Sequence, residues 1–439
     1  MVKRSRRAAL GVFINESKVG TLVRESDGGL KFAYDRDAIA NGTCSLVSYS
    51  LPLREETFSG EVVSNVFENL LPDSLEIRER IAARKQAKGS DAFSILSEIG
   101  RDCVGAMQFL PEGEEPTPLT EAKGTVIDHA RIGQILANLA EAPLGMDEDD
   151  EDFRISIAGA QEKTALLRQG DQWVLPHGTT PTTHIFKKPM PLRTDGVDLR
   201  LSCENEHFCL TFLRELGLKA CKSELMTFGE QKAIVIERFD RFIDRNGVLR
   251  RRHQEDMCQA LSVPSNRKYQ KDGGPGFPEL FRLLRGSDEV QADQRQLLTC
   301  MVVFWLLAAS DGHAKNFSIF LTPDGRFKLT PIYDVMSIEP IFAAHQIPEH
   351  KVRVAMSIGA KKHYIVRNIA PRHFEETAIE CGVSSALLHE VFEFLIEASD
   401  AALDQALAAM PVGFPTQASE PIVEAYKHRL MLLKEVRNS

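Results

Sequence analysis

Residues 300–316 read Cys-Met-Val-Val-Phe-Trp-Leu-Leu-Ala-Ala-Ser-Asp-Gly-His-Ala-Lys-Asn, an apolar run that breaks abruptly into a polar loop. The loop carries an acid, Asp311, and an amide five positions later, Asn316. A short apolar run (317–321), a turn at Thr322-Pro323-Asp324-Gly325-Arg326 and a second run ending at Tyr333-Asp334 follow. Paired as a hairpin, the two runs bring Asn316 and Asp334 to one open end, because antiparallel pairing sets the first residue opposite the last. Asp311 then stands just before them. Two oxygen donors beside a spare carboxylate suit Mg2+ and phosphoryl transfer.

The Asp-x4-Asn spacing equals that between the catalytic Asp and the metal-binding Asn of protein kinases. On this reading Asp311 is the base, and His313 and Lys315 extend the loop toward phosphate. The plainer alternative is an acid that turns the chain after a buried helix.

A chain of 439 residues is long enough for two or three domains. Its net charge of -9 argues against nucleic-acid binding as the main role on bulk charge, while leaving a local basic patch open. The 8 cysteines show no CxxC pair, so they read as reduced thiols of a cytoplasmic protein rather than a disulfide frame. The apolar stretch 8–14 is broken by Asn15 and Glu16, too short for a signal-peptide core. No run approaches the ~18 apolar residues of a membrane span.

Working outward, residues 11–34 alternate and turn like a three-stranded meander, and 61–85 take helical period, broken at Pro72. Residues 1–110 are expected to form a β-rich N-terminal domain. Residues 111–123 are rich in Pro, Glu and Thr, and a helix is expected over 128–140, so 111–150 reads as linker and helix. The acidic run 147–152 reads as a solvated loop. Strands, one helix and more strands over 151–238 predict a small antiparallel lobe. Residues 239–439 read as a mostly helical large lobe holding the catalytic and metal-binding loops, with one helix over 254–260. The class is α+β, in two lobes plus the extra domain.

Other stretches supply parts that a phosphoryl-transfer site needs. Ser156-Ile157-Ala158-Gly159-Ala160-Gln161-Glu162-Lys163 is a small-residue turn whose backbone N–H groups suit phosphate, though taken alone the stretch is better read as an ordinary hairpin loop. It is neither a Walker A loop nor G-x-G-x-x-G. Lys187 ends a strand where a small lobe places a phosphate-binding lysine, and Glu206, preferred to Glu204, is the acid expected to hold it. Residues 234–241 run from an apolar strand into the large lobe, where a hinge lies; Phe239 there suits an adenine ring. Asn246-Gly247 marks a hairpin turn, and Arg250-Arg251-Arg252 reads as a solvated strand face.

Several strings in order resemble the HipA family, kinase toxins of bacterial HipBA-type toxin–antitoxin modules. They are Asn69-Leu70-Leu71-Pro72-Asp73, Ser97 through Asp102, Asp152 through Lys163, Glu237-Arg238-Phe239-Asp240-Arg241, Gln254-Glu255-Asp256-Met257, Ser310 through Asn316, and Pro331-Ile332-Tyr333-Asp334. The resemblance implies a two-lobed serine/threonine protein kinase that uses ATP and Mg2+. It implies Asp311 as proton acceptor, Asn316 and Asp334 as metal ligands, and Lys187 on the phosphates. Ala158, Gly159, Ala160, Gln161, Glu162 and Lys163 would cover those phosphates. Glu237, Arg238 and Phe239 would hold the adenine, and His313, Ala314, Lys315 and Asn316 would complete the nucleotide site. Ser156 falls where the family phosphorylates itself, ejecting the loop and silencing the enzyme.

The same resemblance implies glutamyl-tRNA synthetase as substrate, with growth arrest and persistence as outcome. It implies a HipB-like helix-turn-helix antitoxin dimer as partner. Residues 374–381 are not basic, so operator DNA is expected mainly through that antitoxin. His-Arg-Asp, Asp-Phe-Gly and a glycine triplet are all lacking, as in the HipA pattern. The alternative is a catalytically weak, antitoxin-binding transcriptional corepressor. The set Asp311, Asn316, Asp334 and Lys187 favours the kinase.

Overall fold

The computed structural model describes residues 8–121, 123–145 and 161–437. Ser156 and the loop residues Ala158, Gly159 and Ala160 lie outside them, as does the acidic run.

The meander forms as read. Asn15 takes a positive φ of 54°, which lets a two-residue turn join Ala8–Ile14 to Ser17–Arg24 with Ile14 opposite Ser17. Leu30–Tyr34 and Phe58–Ser59 extend the sheet on one side, and Met107–Pro111 pairs with Ala8–Ile14 on the other. The period-2 set Leu30, Phe32 and Tyr34 is buried, and its inner face is covered by Glu61–Glu68 and Ala92–Ile99 through Val63, Val66, Phe67 and Ile95. The helix expected over 61–85 is two helices: Pro72 falls between them, and the Ser74 side chain caps Leu75–Arg84 by accepting from the Ile77 N–H.

The small lobe is a six-stranded antiparallel sheet. Its order is Ser223–Phe228, Gln231–Glu237, His184–Lys187, Lys163–Gln169, Gln172–Pro176 and Gly124–Ile127. The last strand was not foreseen, because it is largely exposed and carries no alternating apolar signal. It lies in the stretch read as linker, yet Thr125 pairs with Leu175 at the sheet edge. Helix His129–Ala137 packs on the same sheet, where Gly133 lies so close to the Phe228 carbonyl that an added Cβ would stand 2.6 Å from it.

In the large lobe, Val290–Leu306 is buried on nearly every side from Gln296 onward, so it reads as an unbroken apolar run. The expected helix over 254–260 begins only at Met257. Gln254–Asp256 is a strand paired with Ser318–Leu321, and Asp256 then caps the short helix in a reciprocal pair with Gln259. Short strands of this kind recur through the lobe, which is therefore less purely helical than its composition suggests.

The N-terminal domain meets the lobes through a buried charge cluster. The Asn246-Gly247 hairpin joins Arg241–Ile243 to Leu249–Arg251. Arg251, expected on a solvated face, is instead 2% exposed, because strand alternation turns it away from Arg250 and Arg252. Its Nε donates to Asp102 at 2.9 Å, as does Nη2 of Arg241, while Arg238 and Arg241 hold Asp240 at 2.7 and 2.8 Å. Three guanidiniums share two carboxylates, and the carbonyls of Cys103, Gly105, Thr179 and Thr182 take further donors, while Arg251 Nη1 is buried without a hydrogen-bond partner. Burial, with Arg238 alongside, pushes Arg241 down to about 10.

Candidate active site

A cavity of about 210 Å³ opens between the lobes. Gln161, Lys163 and Lys187 reach it from the small lobe, and Asp311, Asn316 and Asp334 from the large one. Residues far apart in sequence thus meet at one place, Asn316 and Asp334 among them.

Lys163 and Lys187 are register partners on neighbouring antiparallel strands, which puts their side chains on one face. Both are buried. The Lys187 ammonium donates to Glu206 Oε1 and to Asp334 Oδ1, each at 2.7 Å. Glu206 is therefore the partner acid; Glu204 lies 3.8 Å from Lys232 instead. Burial opposes charge on Lys187, but Asp334 and Glu206 outweigh it and raise its proton affinity well above the ordinary lysine range. Burial likewise opposes ionised Asp334, yet Lys187 and Lys163 hold that carboxyl well below its usual range. For Lys163 burial and the neighbouring Lys187 win, and it is lowered to about 8.

The catalytic loop closes on itself. Asn316 Nδ2 donates to the Asp311 carbonyl at 2.6 Å, the His313 N–H donates to the same carbonyl at 2.8 Å, and the Asn316 N–H donates to the His313 carbonyl at 2.9 Å. The Asp311 side chain stays 37% exposed, where an acceptor can reach it. The Tyr269 hydroxyl donates to Asp311 Oδ1, and its ring meets His313 edge-on at 4.7 Å.

Glu237, Arg238, Phe239, His313, Lys315 and Asn316 all line the cleft, each with its own protein contacts. Burial lowers the proton affinity of His313, which favours the neutral ring over a phosphate-binding cation. Lys315 also lines the cleft, but its ammonium is fully engaged by protein: it donates to the Asn69 carbonyl at 3.0 Å, Asn69 Oδ1 at 2.8 Å and Asp256 Oδ2 at 3.1 Å. Ala314 is fully buried beside it. Glu162 faces Arg80 at 3.4 Å, and the Arg238 guanidinium belongs to the buried cluster. At the hinge, the Glu237 N–H donates to the Lys222 carbonyl at 3.0 Å and the Arg238 N–H to the Thr183 carbonyl at 2.9 Å. Phe239 follows them and lines the cleft. Its ring packs between Phe320 and Tyr333, at 5.7 and 5.6 Å.

Sequence reading missed Tyr269, Lys268, Asn69 and Asp73 as members of the site. The first two lie in an aperiodic polar loop. The other two lie in another domain, visible only as part of a family string.

The family model for the HipA-like C-terminal domain matches residues 155–403, and that for the HipA N-terminal domain matches residues 10–110. The chain belongs to the HipA family. A Sinorhizobium fredii protein named "Putative kinase Y4mE" is 33% identical over 402 residues, covering 91% of each chain. The "Serine/threonine-protein kinase toxin HipA" of Shewanella oneidensis is 30% identical over 307 residues, 67% of each chain. The HipA-family fold is also met in a solved structure, the complex of Shewanella oneidensis MR-1 HipA with HipB and operator DNA. There the TM-score is 0.81 at 22% identity, over 98% of this chain and 99% of that one. The architecture is thus α+β and kinase-like, with the HipA N-terminal domain added.

Proposed function

We propose that this chain is the serine/threonine protein kinase toxin of a toxin–antitoxin pair, passing the γ-phosphate of ATP to a protein hydroxyl. The observation that carries the reading is Lys187, held at 2.7 Å by both Glu206 and Asp334 within a cleft that also presents Asp311. An ammonium has three N–H donors, and two are occupied here, so one remains for a phosphate oxygen. Lys163 beside it adds a second cation, and Phe239 offers its N–H to the adenine edge. Asp311 accepts the proton as the acceptor oxygen bonds to the γ-phosphorus and ADP leaves.

Asn316 and Asp334 supply hard oxygen donors of the kind Mg2+ takes when phosphates and water complete its shell. Bound there, Mg2+ would neutralise charge on the phosphate oxygens.

The wider reading follows the family. Glutamyl-tRNA synthetase is the acceptor, its loss causes growth arrest and persistence, and a HipB-like antitoxin dimer carries most contacts to operator DNA. Phosphate on Ser156 would set a dianion beside the nucleotide phosphates and repel them, switching the enzyme off. The test is transfer of labelled γ-phosphate to purified glutamyl-tRNA synthetase and to lysate proteins. The expected result is Mg2+-dependent labelling, reduced by about 10²–10⁴ in Asp311→Gln. A wild-type chain that binds antitoxin yet labels no protein would replace this reading with that of a corepressor.

A further inference from the structure

The loop carrying Asp311 is held from outside the two lobes. Lys315, four residues beyond Asp311, is 6% exposed, and its ammonium is gripped by Asn69 of the N-terminal domain through both a carbonyl and a side-chain oxygen. Asp73 Oδ1 stands 3.7 Å from the same ammonium. The other Asp73 oxygen accepts from Lys268 at 2.7 Å, and the Lys268 carbonyl accepts from the Ala314 N–H at 3.4 Å. Asn69 is itself fixed, since its Nδ2 donates to the carbonyls of Asn65 and Val263 at 2.7 and 2.9 Å. Asn69 directly, and Asp73 through Lys268, thus hold the adjacent residues Lys315 and Ala314, just after Asp311 in the loop.

Other contacts also dock the domain. Glu255 holds Ser48 and Tyr49 elsewhere, and the arginine cluster around Asp102 joins the domain to the small-lobe edge. Asn69 and Asp73 instead reach the two lysines that flank the catalytic loop, and both line the cleft. We propose that Asn69 and Asp73 are positioning residues for phosphoryl transfer, which fix the Asp311 loop through Lys315 and Lys268 so that the N-terminal domain completes the catalytic site. The proposal rests on the kinase reading. A misplacement of about 1 Å at a reacting group costs on the order of a hundredfold in rate, so such a clamp acts on turnover rather than on nucleotide binding.

The experiment compares full-length wild type, Asn69→Ala, Asp73→Ala and Asp73→Asn by kcat, KM for ATP, affinity for a non-hydrolysable ATP analogue, and Tm. Asp73→Ala and Asn69→Ala should each lower kcat by about ten- to a hundredfold while KM for ATP and analogue affinity stay within about twofold. Asp73→Asn keeps an oxygen acceptor and should fall between them and wild type; it also carries the test if Asp73→Ala does not fold. Folded variants with unchanged kcat, or with analogue affinity falling as steeply as kcat, would overturn the positioning role alone. A wild-type chain that transfers no phosphate would overturn the kinase reading first.

Discussion

The Tyr269 hydroxyl donates its hydrogen bond to Asp311 Oδ1, so the carboxylate assigned to receive an acceptor's proton already has a phenol against it. Burial and the Asp311 charge both raise the Tyr269 proton affinity, so the phenol stays a donor at working pH. A substrate hydroxyl must compete for the same carboxylate. A hydrogen bond to a charged group is worth about 1.5–3 kcal/mol, and freeing it in Tyr269→Phe should raise kcat/KM for the protein acceptor by about tenfold or more. Steady-state kinetics on one acceptor decides it: a fall in kcat would make the phenol a support for Asp311 rather than a competitor.

Lys187→Met should abolish nucleotide binding and also destabilise the fold. It leaves Glu206, only 1% exposed, as an uncompensated buried acid, at a cost of about 3–5 kcal/mol. Denaturant melts should show that loss, and the double variant Lys187→Met/Glu206→Gln should recover stability without recovering nucleotide binding. Equal stability of the single variant and wild type would contradict the assignment of this pair.

Lys163 titrates near 8, lowered by burial and by Lys187. Phosphates bound beside it would raise its proton affinity, so binding takes up a proton when the free chain has lost one. Nucleotide affinity should therefore be flat below pH 8 and fall above it, approaching about tenfold per pH unit. Calorimetry in buffers of different ionisation enthalpy reports the proton uptake. In Lys163→Arg the decline should vanish; a decline that persists would point to another group.

Glu255 is fully buried between the large lobe and the N-terminal domain, where the Ser48 hydroxyl and the Tyr49 N–H donate to it at 2.5 and 2.8 Å. Burial, which those donors do not offset, raises its carboxyl from 4.5 to about 8. Between those values the native chain keeps a proton that the unfolded chain has lost. The stabilisation is fully present below 4.5 and is lost as pH rises through about 8. Tm followed across that window should fall in wild type and change less in Glu255→Gln, whose amide can satisfy both partners.

The sequence disclosed those parts of the site that share a strand or loop with their neighbours. Asp311 and Asn316 share a loop, Asp334 ends the hairpin, and Lys187 was matched to Glu206 through strand and helix order. Period-2 and helical spacing likewise placed most elements to within a few residues. What stayed hidden has physical causes. The partners of the Lys315 ammonium, Asn69 and Asp256, are distant in sequence and only folding brings them near. Arg251 sat in a basic run whose alternation hid one buried member. Gly124–Ile127 pairs at an exposed sheet edge, where no apolar pattern is required.

Asp102 gives the arginine cluster a meaning for the exchange of parts between relatives. One acid from the N-terminal domain sits between Arg241 and Arg251 at 2.9 Å each, and Gly105 approaches Gln254 so closely that a Cβ would stand 2.6 Å from its carbonyl oxygen. A chimaera joined after residue 111 would have to match this buried contact as well as the peptide junction. Such a hybrid is expected to fold well only when its acid, its glycine and its arginines come from compatible parents, so these positions bear on where parts can be exchanged as much as the point of joining does.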